Sequence, residues 1–223
     1  MYLPRHFRLD DDALVEELLS QLSTVELITF DGTRPVASLM PMLWQRASAT
    51  GSDQVRGRLL GHLARANPQW SGAVPDALAL AIATGAQSYV SPSWYPSTAE
   101  HGRMVPTWNY VSVHLTGRLV VHHEPEWLRD VVGRLTRRHE QHRPAPWTVE
   151  DAPSDFIRTS LTAIVGIELL VTAVEAKAKL SQNRDPADVV GVIDGLSDDG
   201  SPAARQVVAL MQGPLFDPGQ TPS

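Results

Sequence analysis

The chain has no cysteine, which excludes a disulfide framework, a thiolate metal centre and a cysteine nucleophile. It also lacks an apolar run long enough to span a bilayer. The nearest approach, around Ile164–Val174, is interrupted by Glu168. The opening residues, MYLPRHFRLDDD, hold no apolar core of the kind a secretory signal needs, so a cytoplasmic protein with no membrane partner is expected. Neither GxGxxG nor a Walker A word occurs, which leaves a Rossmann site or a P-loop without sequence support. The GxSxG elbow of serine hydrolases and the HExxH zinc word are missing too. HEPEW at His123–Trp127 and RHEQH at Arg138–His142 combine acids with histidines, but not at metal-ligand spacing, and no metal site is expected.

Positive charge is also in deficit. Lys and Arg number 19 against 25 Asp and Glu, and the net charge of −6 opposes strong non-specific affinity for nucleic acid. The one concentration of positive charge is Arg129–Arg143, which holds Arg129, Arg134, Arg137, Arg138 and Arg143 with His139 and His142. A solvated helix face and a local contact to nucleic acid are both open readings of this run.

What is present is an ordinary globular composition with unusual aromatic words. An apolar share of 43% in 223 residues is enough for a substantial core. In VPTWNYVSVHLTG at Val105–Gly117, Trp108 and Tyr110 share one parity, and Asn109, Val111, Val113 and Leu115 share the other. Such segregation describes a strand with two different faces. Together with SPSWY at Ser91–Tyr95 it brackets a short loop with aromatic and hydroxyl groups, as a site for a flat polar ligand would.

The rest of the pattern is mostly strand. Asp10–Asp12 open a helix whose apolar spacing runs over 10–23. Strands are expected at Val25–Phe30, Arg34–Trp44, Gly57–Ala66, Ala77–Val90, Thr107–Val121 and Ile164–Ala178, the last competing with a helix. Asp31-Gly32 marks a turn, and short Gly-containing turns favour an antiparallel meander closing as a barrel. Trp127, Leu128, Val131, Val132 and Leu135 make an apolar stripe on an inserted helix over 124–142, with Pro125 in its first turn. Short helices are expected at Pro186–Gly195 and Ala203–Gly213, and a Pro/Gly-rich flexible tail follows.

Four segments together resemble the PaiB family: MYLPRHF at Met1–Phe7, GHLARANPQW at Gly61–Trp70, SPSWY with VPTWNYVSVH, and KLSQNR at Lys179–Arg184. The resemblance implies an antiparallel FMN-binding split β-barrel, mainly β with peripheral helices (α+β). The implied organisation is a barrel domain over 1–184 and C-terminal helices with a tail over 185–223. It also implies a homodimer with FMN held between subunits, and the family's description as negative transcriptional regulators.

FMN needs donors for a phosphate dianion and a flat crevice for its ring. Within the family-like words those donors are His62, Arg65 and Asn67; Ser91, Ser93, Thr107 and Asn109; and Lys179, Ser181, Gln182, Asn183 and Arg184. Arg65 and Arg184 are the best phosphate candidates, because a guanidinium grips two oxygens; a surface ion pair is the alternative for each. Trp94, Tyr95 and Trp108 can cover the ring or fill a core or interface. The family words ATHLP and SPSWYxxK meet departures here: Leu39 stands at a His position and Thr98 at a Lys position, with Arg103 near enough to replace the lysine. Three functions follow. They are a regulator whose flavin senses redox state or a metabolite, a small flavin-dependent oxidoreductase, and a cofactor-free barrel acting as an interaction module.

Overall fold

A computed structural model describes residues 1–47, 55–75 and 77–216. Its elements are β1 (Arg8–Leu9), α1 (Asp12–Gln21), β2 (Thr24–Phe30), β3 (Pro35–Pro41), β4 (Leu43–Arg46), β5 (Gly57–Ala64), α2 (Gln69–Gly72), β6 (Leu78–Val90), α3 (Pro96–His101), β7 (Thr107–His122), α4 (Pro125–Glu140), α5 (Ser154–Thr162), β8 (Ile164–Lys179), α6 (Pro186–Asp199) and α7 (Pro202–Met211). The final residues of the expected tail, 217–223, lie outside the described residues.

Local chemistry sets several of these boundaries. Asp31 closes the β2–β3 hairpin by accepting from the N–H groups of Thr33 (2.8 Å) and Arg34 (2.9 Å), while Gly32 takes φ +95°. The stretch expected as one strand over Arg34–Trp44 is two. Met40, Met42 and Leu43 are all buried, and strict alternation cannot bury the neighbours Met42 and Leu43 together. The chain breaks at Met42, whose N–H donates to the Ser23 carbonyl (3.0 Å), just after Pro41, which has no N–H to give.

The strands form one antiparallel sheet in the order β3-β2-β6-β7-β8-β5-β4, with β1 added beside β8. This corrects the expected meander. β5 pairs with β8, from Gly57↔Val171 to Ala64↔Ile164, and β6 pairs with β2. The connection from β5 to β6 carries α2 instead of a tight turn, so the two strands are free to part. Gly61 explains how β3 reaches β5: a Cβ there would strike the Met40 side chain and lie 2.7 Å from the Pro41 carbonyl oxygen.

The chain groups into two compact units, one from Met1–Leu18, Thr84–Val113 and the described part of 175–223, the other from Leu19–Ala83 and His114–Val174. In the second, α4 lays Val131 and Leu135 on Leu43 and Leu60, with Trp127 at the edge. Its stripe is the one the sequence predicts. α5 (SDFIRTSLT) forms in a stretch to which the sequence pattern assigns no element. The competing helix over Ile164–Ala178 is absent, and β8 runs for 16 residues. No helix among the described residues is long and apolar enough to cross a membrane.

Candidate functional site

In the first unit the site grows from the alternation of β8. Lys177 and Lys179 share one face. Lys177 is 7% exposed and sits among the rings of Tyr110 (5.2 Å), Tyr2 (5.7 Å) and Phe7 (6.0 Å), donating to the Tyr2 carbonyl at 3.1 Å. Lys179 Nζ donates to Thr107 Oγ1 and to the Trp108 carbonyl, both at 2.6 Å. Burial, then Lys177, then Arg184 pull the Lys179 ammonium down to about 8. The charged neighbours that act on it are both cations.

Arg184 closes this group. Its guanidinium lies 5.3 Å from the Tyr95 ring centroid and 3.5 Å from Met104 Sδ. Tyr95 is buried; its hydroxyl makes no well-formed hydrogen bond, although Ser181 and Arg184 lie beside it, and burial pushes its phenol up. Trp108 is 45% exposed, with its indole N–H on Gln87 Oε1 (3.1 Å) and its ring edge-on to Tyr89. Asn109, on the opposite face of β7, is fully buried and donates to Ser181 Oγ at 3.0 Å.

The remaining expected residues of this unit shape the chain. Ser91 caps the turn at Pro92–Trp94 by accepting from the Ser93 N–H. The Trp94 ring lies on Gly195 of α6, where any Cβ would strike it. Gln182 folds back on its own turn, accepting from the Leu180 N–H and donating to the Ala178 carbonyl, both at 2.7 Å. Asn183 is exposed. Thr98 Oγ1 donates to the Pro92 carbonyl (2.6 Å), so the residue at the expected lysine position closes the turn instead.

His62, Arg65 and Asn67 belong to the second unit. His62 is half-buried, its Nδ1 has no partner among the described residues, and desolvation lowers its imidazole pKa. Arg65 donates through Nε to the Thr162 carbonyl (2.7 Å) and through Nη2 to the Ile164 carbonyl (2.9 Å), tying the end of α5 to the end of β5. Asn67 donates to Ser38 Oγ and accepts from the Gln69 N–H, both at 2.9 Å. Leu39, at the expected histidine position, is 63% exposed on β3.

The donor set of the first unit suits a phosphate: two lysines and an arginine lie together beside an exposed indole, with the buried Asp188 carboxylate near Tyr95. Sequence reasoning missed Lys177, Phe7 and Tyr110 in this group. The KAK alternation at 177–179 was the available signal for Lys177; the aromatic box needed the fold.

The model of the family described as "Putative FMN-binding domain" matches residues 1–173. The chain belongs to this family. The family description names the cofactor the sequence predicts, FMN. KLSQNR lies beyond the matched span, but a relative from Bacillus subtilis, "Protease synthase and sporulation protein PAI 2", is 28% identical over 215 residues, covering 96% of this chain and 98% of its own. An uncharacterised protein of Aspergillus fumigatus is 29% identical over 182 residues, covering 67% of this chain and 70% of its own. Among solved structures, a FAD and haem binding protein of Mycobacterium smegmatis has TM-score 0.55 at 18% identity, over 82% of this chain and 78% of that one. A conserved hypothetical protein of Mycobacterium tuberculosis has TM-score 0.54 at 12% identity, over 80% and 91%. These two carry the fold alone, and the antiparallel sheet with peripheral helices agrees with the expected split barrel.

Proposed function

We propose that this protein holds the FMN phosphate at Lys179 and Arg184, with Thr107 as a neutral donor and Trp108 beside the ring, and that it acts as a flavin-dependent regulator of the PaiB type. The observation that carries the site is the cationic group itself. Lys179 is driven toward its neutral form by burial and by two like charges, and a bound dianion reverses that push. Arg65 is the weaker half of the expected phosphate pair, because two of its donors already serve backbone carbonyls.

When bound, the flavin supplies redox chemistry through its ring. The chain's own residues orient it. Lys179 is fixed by two hydrogen bonds, Arg184 by the Tyr95 face, and the Trp108 indole by Gln87. The half-exposed Trp108 also favours a homodimer that covers it.

Regulation through direct DNA contact by α4 has little to recommend it. Arg129 pairs with Glu150, Arg134 with Asp130 and Arg143 with Glu140, while Arg138 is spent on backbone carbonyls. Regulation instead runs through the flavin, whose state a protein partner reads.

The test is an absorbance spectrum of the protein after incubation with FMN and desalting. A retained yellow chromophore is expected, with Arg184→Ala weakening binding by about 1.5–3 kcal/mol. A wild-type protein that stays colourless overturns the reading in favour of a cofactor-free barrel. Bleaching by NAD(P)H with turnover favours the oxidoreductase instead.

A further inference from the structure

A cavity of about 420 Å³ opens between the start of α4 and the end of α5. That volume is within the range of about 300–1,000 Å³ typical of small-molecule sites. Its wall is mainly apolar, with Pro125, Leu128 and Leu161 among the lining residues, and its charged lining is Arg65, Arg129, Arg158 and Glu126. Three guanidinium groups therefore face one carboxylate, on a chain whose net charge is −6. Local charge runs against the average charge.

The state of each arginine matters. Arg129 shares its charge with Glu150 at 3.1 Å. Arg65 anchors Nε and Nη2 on the Thr162 and Ile164 carbonyls, which fixes the guanidinium and leaves Nη1 facing His123 Nδ1 at the long distance of 3.5 Å. The Arg158 side chain is exposed on α5 and makes no hydrogen bond or ion pair with any of the described residues. An apolar cavity edged by one anchored and one unpaired guanidinium matches a ligand with an apolar body and a planar two-oxygen head, since a carboxylate accepts from a guanidinium fork.

We propose that this cavity binds a small amphipathic carboxylate, with its apolar body against Leu128 and Leu161 and its head at the Arg65–Arg158 rim. Discrimination comes from the rim, because a neutral molecule of the same shape gains the apolar contacts alone. Of the residues expected to hold FMN, the cavity shares Arg65. None of Lys179, Arg184, Thr107 or Trp108 lines it.

The experiment is calorimetric titration of the full chain with octanoate and, in parallel, with 1-octanol, repeated on Arg158→Glu and in the presence of FMN. Saturable one-to-one binding of octanoate is expected, at least about tenfold tighter than 1-octanol. Arg158→Glu is expected to remove about tenfold or more of the octanoate affinity and leave 1-octanol unchanged. Arg158 is exposed, so the variant should fold, and its thermal melt checks that. Equal affinity for the acid and the alcohol overturns the proposal, as does no saturable binding at millimolar octanoate or an Arg158→Glu variant that binds like the parent. Displacement of octanoate by FMN also overturns it, because the cavity is then the flavin's. Failure of FMN binding with octanoate binding intact leaves this site standing and removes only the flavin site.

Discussion

His122 Nε2 lies 2.7 Å from Glu168 Oε2, and Glu168 is 5% exposed in the first half of β8. The other carboxylate oxygen accepts from Arg58 Nη1 at 3.1 Å, and the Trp127 ring stacks on His122 with centroids 4.1 Å apart. The acid that interrupts the apolar run of the sequence is thus the buried acceptor joining β5, β7 and β8. Removing it takes the buried acceptor from the His122 ring and leaves the Arg58 guanidinium to water. Glu168→Ala is expected to cost about 2–4 kcal/mol in urea unfolding, and Glu168→Gln less. A loss below about 0.5 kcal/mol would show that water replaces the carboxylate without penalty.

Two glycines predict opposite signs. A Cβ at Gly117 would strike the Leu170 carbonyl oxygen and lie 2.8 Å from Val171 Cα, and backbone cannot yield as a side chain does. Gly117→Ala should destabilise by about 1–3 kcal/mol. At Gly133, inside α4, only the tip of Arg137 approaches, at 3.6 Å. Gly133→Ala should stabilise by about 0.5–1 kcal/mol, because alanine gives up less backbone entropy in a helix. Thermal melts of the pair decide it; the same sign for both would refute the steric account.

Arg138 ties α4 to the chain around it, donating to the carbonyls of Met42 (3.0 Å), Ser20 (2.6 Å) and Leu22 (2.5 Å). A lysine cannot reproduce that fork. Arg138→Lys is expected to lower stability by about 1–3 kcal/mol in chemical denaturation. Arg137→Lys, on the same helix, should be near neutral; equal losses at the two positions would disprove the carbonyl-clamp role.

Lys179 predicts a pH dependence. Its folded-state pKa, about 8, is below the ordinary 10.5, so between these values the unfolded chain binds the extra proton. The charged lysine therefore penalises the folded state below pH 8, and stability should rise as pH increases from 8 toward 10.5. Lys179→Met should flatten that rise in melts across the window. FMN affinity should move the other way, falling by at most about tenfold per pH unit above 8 as the ammonium is lost. Affinity that is flat from pH 7 to 10 would remove Lys179 from the phosphate site.

The sequence by itself determined the elements whose pattern is local. Alternation in Thr107–Leu115 buries Asn109, Val111, Val113 and Leu115 and leaves Trp108 exposed, and the stripe of α4 packs as its spacing requires. These follow from side-chain period, which depends only on near neighbours. The family words also carried the fold and the cofactor class. Only the tertiary structure decided which strands meet. β5 leaves β6 for β8 because the connection through α2 imposes no turn, and no local signal encodes that choice. It also decided what each polar side chain is spent on. Arg65 and Arg184 look alike in sequence, yet one holds the carbonyls at the end of α5 while the other lies over Tyr95 beside two lysines. A guanidinium's role depends on which acceptors lie within about 3 Å of it, and that is set by packing across the chain rather than by its neighbours in sequence.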